Sequence, residues 1–99
     1  MKLLLIEDEP SLLKLLKISL ENDRCDVIAT ATAGEALERI RSELFDIVLS
    51  DIGLPDRDGL EVLSEIKAIH PELPVVMMTA NGSIDSALQA MKRGAYDYV

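Results

Sequence analysis

Ile47-Val48-Leu49-Ser50-Asp51 is the stretch on which the reading of this chain turns. A short apolar run that breaks off at a carboxylate reads as a strand buried on both faces, the pattern of a parallel sheet covered by helices above and below. In open α/β sheets, ligands bind outside the carboxyl ends of the strands. Asp51 stands at such an end and is therefore the candidate reactive group.

Working outward, the same pattern recurs on either side. Leu3 to Ile6 is a continuous apolar run that gives way to Glu7, Asp8, Glu9 and Pro10. Pro10 suits the first position of a helix, where its missing N–H would have had no partner, and the acidic residues before it complement the positive end of the helix dipole. Leu12, Leu13, Leu16 and Leu20 recur at helical spacing and predict one buried stripe, ended by Asn22-Asp23. Val27 to Thr30 reads as a shorter strand. Thr32 and Glu35 form a capping box, and Ala36, Leu37 and Ile40 supply the apolar stripe of the helix it opens.

Beyond Asp51 comes Ile52-Gly53-Leu54-Pro55-Asp56-Arg57-Asp58-Gly59, a loop dense in turn formers. Asp58 is the expected cap of a third helix with Leu60, Leu63 and Ile66 inside, and Asp56 is assigned to solvated loop. Val75 to Met78 is another buried run, ending in Thr79-Ala80-Asn81-Gly82. Ser83 would cap a fourth helix carrying Ile84, Ala87, Leu88 and Met91, with Gly94 at its C′ position. Tyr96-Asp97-Tyr98-Val99 begins a fifth strand. Strands alternate with helices throughout, so the expected class is α/β with a parallel sheet and right-handed crossovers, in a single domain.

Composition narrows the function. Hydrophobic residues make up 48% of the chain and aromatics 3%, so the core is aliphatic. Eighteen acidic residues against ten basic ones give a net charge of −8, which disfavours direct contact with nucleic acid or an anionic membrane. Cys25 is the lone cysteine and has no internal disulfide partner, consistent with a reducing cytoplasm. The N-terminal apolar run is broken by Glu7 too soon for a secretory leader and reads as a strand; no run is long enough to span a bilayer.

Polar groups thus stand at three strand ends: Glu7 with Asp8, then Asp51, then Thr79. Singly, each has a plain structural role: an Asp makes turns, an acidic pair complements a helix dipole, a Thr caps. Together they converge on one rim of the sheet. Carboxylates about 5 Å apart at an effective dielectric near 20 repel by about 3 kcal/mol per pair. Protonation of one group or a bound hard cation relieves this. Mg²⁺ is the economical cation, since it takes one or two carboxylates and keeps waters, leaving room for a phosphoryl oxygen. A carboxylate so placed can accept a phosphoryl group as an aspartyl phosphate, with Thr79 donating to a phosphoryl oxygen. His70, beside Pro71 in a turn, reads as surface structure, Cys25 as structural, and Met77 and Met78 as core.

Leu5-Ile6-Glu7-Asp8-Glu9-Pro10, Asp51 to Leu60, Met78-Thr79-Ala80 and Gly94-Ala95-Tyr96-Asp97-Tyr98, in this order, resemble the receiver domain of two-component response regulators over the whole length. The resemblance implies a flavodoxin-like, doubly wound parallel sheet of order 2-1-3-4-5. It further implies that Asp51 accepts a phosphoryl group from a phosphohistidine of a sensor histidine kinase. Glu7, Asp8, Asp51 and the Gly53 backbone carbonyl would hold Mg²⁺, Glu7 through water. Thr79 would be the switch hydroxyl, Tyr98 the switch aromatic, and positions 53 and 81 would tune the lifetime of the phosphoryl group. The partner read by the switch would be an output domain or downstream protein. The segment Ser83 to Tyr98 resembles receivers of enhancer-binding transcription regulators.

Glu7 stands where many members carry Asp, and Leu54 where many carry Met. The family's Lys, in a K-P pair after the D-Y element, falls beyond Val99, as does its fifth helix. The expectation is therefore an incomplete receiver, residues 1–99, with one sheet face covered by the first helix alone and a tendency to homodimerise, swap elements or be poorly stable. Two rivals stay open: a degenerate receiver serving only as a protein-interaction module, and a small phosphatase with Asp51 as nucleophile. The phosphatase would need a second Asp two residues on, where Gly53 stands.

Overall fold

The structure, a computed structural model, describes residues 1–78 and 84–99. Its elements follow in strict alternation: β1 (Lys2–Ile6), α1 (Pro10–Leu20), β2 (Asp26–Thr30), α2 (Ala33–Ser42), β3 (Ile47–Asp51), α3 (Gly59–Ile69), β4 (Val75–Met78), α4 (Ile84–Lys92) and β5 (Asp97–Tyr98). All pairings are parallel, and the sheet order is β2-β1-β3-β4-β5. The expected class, strand order and central strand are all present.

The pleat divides each strand between two cores. Leu4 and Ile6 of β1, Val48 of β3, and Val75 and Met77 of β4 face the layer formed by α2, α3 and α4. There they meet Ala36, Leu37, Ile40, Val62, Leu63, Ile66 and Ala90. Leu3, Leu5 and Val27 point the other way, with Cys25, toward Leu13, Leu16 and Leu20 of α1. Leu4, Leu5, Ile6 and Ile66 are fully enclosed, and burial of each such side chain is worth about 1.5–3 kcal/mol. Among the described residues α1 is the only helix on its face, and Ile47, Leu49 and Met78 there are only half-buried.

Helix ends follow local chemistry. Thr32 caps α2 by accepting from the Glu35 N–H at 3.2 Å, and Asp58 caps α3 by accepting from Leu60 N–H at 2.9 Å. Glu9 caps α1, accepting from Ser11 and Leu12 N–H, with Pro10 beside it at the start of the helix. Gly94, at φ +99°, closes α4: its N–H bonds Met91 O and the Ala95 N–H bonds Ala90 O. This double bond pattern needs the left-handed conformation that glycine adopts without strain. Gly59 is required for a different reason. A Cβ there would lie 2.4 Å from the Ile52 carbonyl oxygen.

Three expected buried faces are corrected. Leu12 is 38% exposed; with a step of about 100° per residue, it sits on the flank of the face formed by Leu13, Leu16 and Leu20. In α3 the inner face includes Val62, fully buried, whereas Leu60 is half-buried at its edge. In α4 the bulky residues point outward: Ile84 is 81%, Leu88 53% and Met91 49% exposed. Ala90 is buried and Ala87 half-buried, so the helix lies on the core through its alanines. The expected Ser83 cap lies outside the described residues. No helix among the described residues is long and apolar enough to cross a membrane.

Candidate functional site

The register of the sheet assembles the site. Ile6 of β1 pairs with Ser50 of β3, so Glu7 and Asp51 follow one step later on adjacent parallel strands, whose spacing is about 4.8 Å. The Glu7 N–H donates to Thr30 O at 3.0 Å, which fixes the residue just beyond the end of β1. Asp8 follows in the loop to α1. One carboxylate oxygen from each of Glu7, Asp8 and Asp51 lies within 4.8 Å of the others. This is the rim where β1 sends its chain to one side and β3 to the other, the place at which doubly wound sheets bind ligands.

The three carboxylates differ in surroundings. Glu7 is buried, Asp51 half-buried and Asp8 exposed. Burial is the largest influence on Glu7, followed by its hydrogen bond to Asp51 and the charges of Asp51, Asp8 and Glu9; together they push its carboxyl up to about 7. Glu7 Oε2 is enclosed with no hydrogen-bond partner among the described residues. An orphaned buried carboxylate oxygen beside two further carboxylates fits a hard dication with oxygen ligands, because the ion removes both the repulsion and the lost hydrogen bond.

The loop leaving Asp51 is folded back on it. The Gly53 N–H donates to Asp51 Oδ1 at 3.1 Å, and Gly53 pairs with Asp58 across the loop. Gly53 is exposed and a Cβ there would meet nothing within 4 Å, so open space surrounds it. Tyr98 packs its ring against the larger core, and its hydroxyl is buried with no partner among the described residues. Thr79 and Asn81, expected at the end of β4, lie outside the described residues.

Asp56 is exposed in the loop, as expected, but has a further role there. Assigned to solvated loop from its sequence, it reaches α2, where Oδ1 accepts from Ala33 N–H at 2.9 Å and Oδ2 from Gly34 N–H at 3.0 Å. These two bonds hold its carboxyl below the usual range. No sequence signal links a loop residue to a helix more than twenty positions away. Glu9 goes beyond the dipole role expected of it and caps α1, for which an acidic residue immediately before Pro10 is the sequence signal. His70 has the structural role expected of it, its ring Nε2 lying 3.2 Å from Ile40 O, and Cys25 is buried. A concavity between residues 44–46 and 70–74 lies at the opposite end of the strands, away from the carboxylates.

The model of the response regulator receiver domain matches residues 3–99. The chain belongs to the response regulator receiver family. This receiver domain is 42% identical over 98 residues to the response regulator protein PilR of Pseudomonas aeruginosa, a match covering 99% of the chain and 22% of PilR. It is 37% identical over 97 residues to the transcriptional regulatory protein ZraR of Escherichia coli K12, covering 98% of the chain and 22% of ZraR. Among solved structures it is similar to a response regulator receiver domain protein from Clostridium thermocellum. That match has 35% identity and a TM-score of 0.92, and covers 99% of this chain and 79% of that one. The receiver domain thus spans about a fifth of the length of the curated relatives it matches. It is a module of two-component signalling, related to transcriptional regulators.

Proposed function

We propose that this receiver domain, residues 1–99, is a phospho-acceptor switch in which Asp51 takes a phosphoryl group from the phosphohistidine of a sensor histidine kinase. The observation that carries the reading is the acidic triad, with its buried Glu7 oxygen, without a partner among the described residues, next to Asp51. Asp8 and Asp51 would hold Mg²⁺ directly, with Glu7 acting through water and the Gly53 carbonyl completing the protein ligands. When bound, the ion neutralises charge on the carboxylates and on the incoming phosphoryl oxygens.

Asp51 supplies the attacking oxygen. A P–O bond to its carboxylate forms as the P–N bond to the donor imidazole breaks, and the released imidazole takes up a proton from solvent. Transfer of this kind rests on positioning and charge neutralisation more than on covalent chemistry by the protein. The Gly53 N–H, already on Asp51 Oδ1, orients the carboxylate. The Thr79 hydroxyl is the proposed donor to a phosphoryl oxygen, and Tyr98, whose buried hydroxyl has no described partner, the aromatic that changes place with it. Phosphorylation then biases a two-state equilibrium. The exposed Ile84, Leu88 and Met91 stripe on α4 supports a protein partner as its reader, an output domain or downstream regulator of transcription.

Incubation with Mg²⁺ and a small acyl phosphate, followed by intact mass, tests this. The expected result is the gain of one phosphoryl group, absent in Asp51→Asn. A folded protein that gains none is an interaction module, and one that turns over external phosphoesters is a phosphatase; either overturns the proposal.

A further inference from the structure

Adjacent strands set the distance between Glu7 and Asp51, and the Ile52 N–H is still held by Met78 O of β4 at 3.0 Å, but among the described residues no sheet hydrogen bond reaches Gly53 itself. It lies two residues past the end of β3, in a loop most of whose hydrogen bonds are internal or run along its own path. Gly53 N–H bonds Asp51, Gly53 pairs with Asp58, and Gly59 N–H bonds Ile52 O at 2.9 Å. Such bonds hold the loop's shape; at its far end Arg57 pairs with Glu65 of α3 at 2.6 Å, which leaves the side of the loop facing α2 to be fixed separately. Asp56 ties it sideways to another element, through both carboxylate oxygens, to the first two N–H groups of α2.

Those two N–H groups complete a circuit. Glu7 N–H is bonded to Thr30 O, two residues before Thr32, the cap of α2; Ala33 and Gly34 are held by Asp56; and the loop bearing Asp56 returns through Gly53 to Asp51. The circuit joins the end of β1, the start of α2 and the loop after β3 around the rim where the carboxylates meet. Thr32 already serves the Glu35 N–H, so the two caps share the start of the helix, and among the described residues Asp56 is the one that reaches it from the loop.

We infer that Asp56 is a positioning residue for the metal and phosphoryl site, clamping the loop after β3 onto α2 so that the Gly53 carbonyl is held where a cation shared by Asp8 and Asp51 can use it. This rests on the proposed function for the cation and goes beyond it in assigning a residue that touches neither ion nor phosphoryl group. Outer groups that orient metal ligands change affinity by about 10–100-fold when removed.

The test compares Asp56→Ala and Asp56→Asn with Thr32→Ala, which weakens the same helix end without touching the loop. In the metal-free protein, Asp56→Ala speeds hydrogen exchange of the Gly53 amide by about fivefold or more, because the loop opens independently of the rest of the fold. Asp56→Asn, which keeps one acceptor, lies between it and the parent, and Thr32→Ala leaves that amide unchanged. Mg²⁺ titration followed by amide chemical shifts shows dissociation weakened by about tenfold in Asp56→Ala and unaltered in Thr32→Ala. An unchanged Gly53 amide in Asp56→Ala, or equal effects from Thr32→Ala, would reduce Asp56 to a helix cap and overturn the inference. A parent protein that takes up no Mg²⁺ refutes the proposed function instead, while exchange at Gly53 still decides the clamp.

Discussion

Replacing Asp51 by Asn should make the metal-free protein more stable, a result opposite to that expected when a residue is deleted from an ordinary polar network. Glu7, Asp8 and Asp51 bring carboxylate oxygens within 4.8 Å of one another. At that distance and an effective dielectric near 20, two ionised groups repel by about 3 kcal/mol. Burial first, then the hydrogen bond to Asp51 and this repulsion, raise the Glu7 carboxyl to about 7 from an ordinary value of 4.5, a difference equivalent to about 3 kcal/mol. The sign follows from linkage. Between these two values the folded protein keeps the Glu7 proton that the unfolded chain releases. The stabilising contribution is therefore complete below the unfolded value and is lost as pH rises through about 7.

Burial is the first cause of the shift, so removing the Asp51 charge recovers only part of it. A gain of about 1–2 kcal/mol at pH 8 is expected, after subtracting the weaker acceptor that Asn offers to the Gly53 N–H. In urea this is a rise of about 1 M in the midpoint. The assay is urea unfolding with a chelator present, at a series of pH values from 5 to 8. The parent loses stability steadily across that range, and Asp51→Asn lies above it at pH 8 with a flatter slope. Glu43 and Asp56 do not confuse the window. Both are held below the usual carboxylate range, so their contributions are present above it and are lost only on further acidification. Mg²⁺ should then raise the parent strongly at pH 8, by about 2.7 kcal/mol at a hundredfold excess over its Kd, and the variant far less. A variant no more stable than the parent at pH 8, or one with the parent's pH slope, would refute the electrostatic account.

Two packing predictions accompany it. Gly59→Ala, whose methyl would meet the Ile52 carbonyl oxygen at 2.4 Å, should lower stability by about 1–3 kcal/mol or more in urea unfolding and should also loosen the loop carrying Gly53. Ile66→Ala should cost about 2–5 kcal/mol because the side chain is fully enclosed, whereas Ile84→Ala, at a residue 81% exposed, should fall within about 0.5 kcal/mol of the parent.

The parts of this molecule that could be read in advance share one property: they depend on neighbours in the sequence or on topology alone. Continuous apolar runs at 3–6, 47–49 and 75–78 identify buried parallel strands, and once strands are parallel their carboxyl ends must share a rim. That is why Glu7, Asp8 and Asp51 could be placed together without coordinates. Thr32, Asp58 and Gly94 were legible as caps because each acts within a few residues of itself. What escaped depends on distances between elements. In α4 the expected inner face was Ile84, Ala87, Leu88 and Met91, yet of these Ala87 alone is half-buried and the helix lies on the core through it and Ala90, and hydrophobicity cannot say whether a helix is close enough to need small residues. Leu12 and Leu60 fall at the edges of their buried faces, and Val62 joins the inner one, because the centre of a buried face is set by the neighbour it meets. Asp56 is the sharpest case, since its two bonds to α2 arise only after a loop has been aimed, and no periodicity encodes that direction. The charges that repel were visible in the sequence. The tie that would keep them in register around an ion became visible only when the loop after β3 was seen lying against α2.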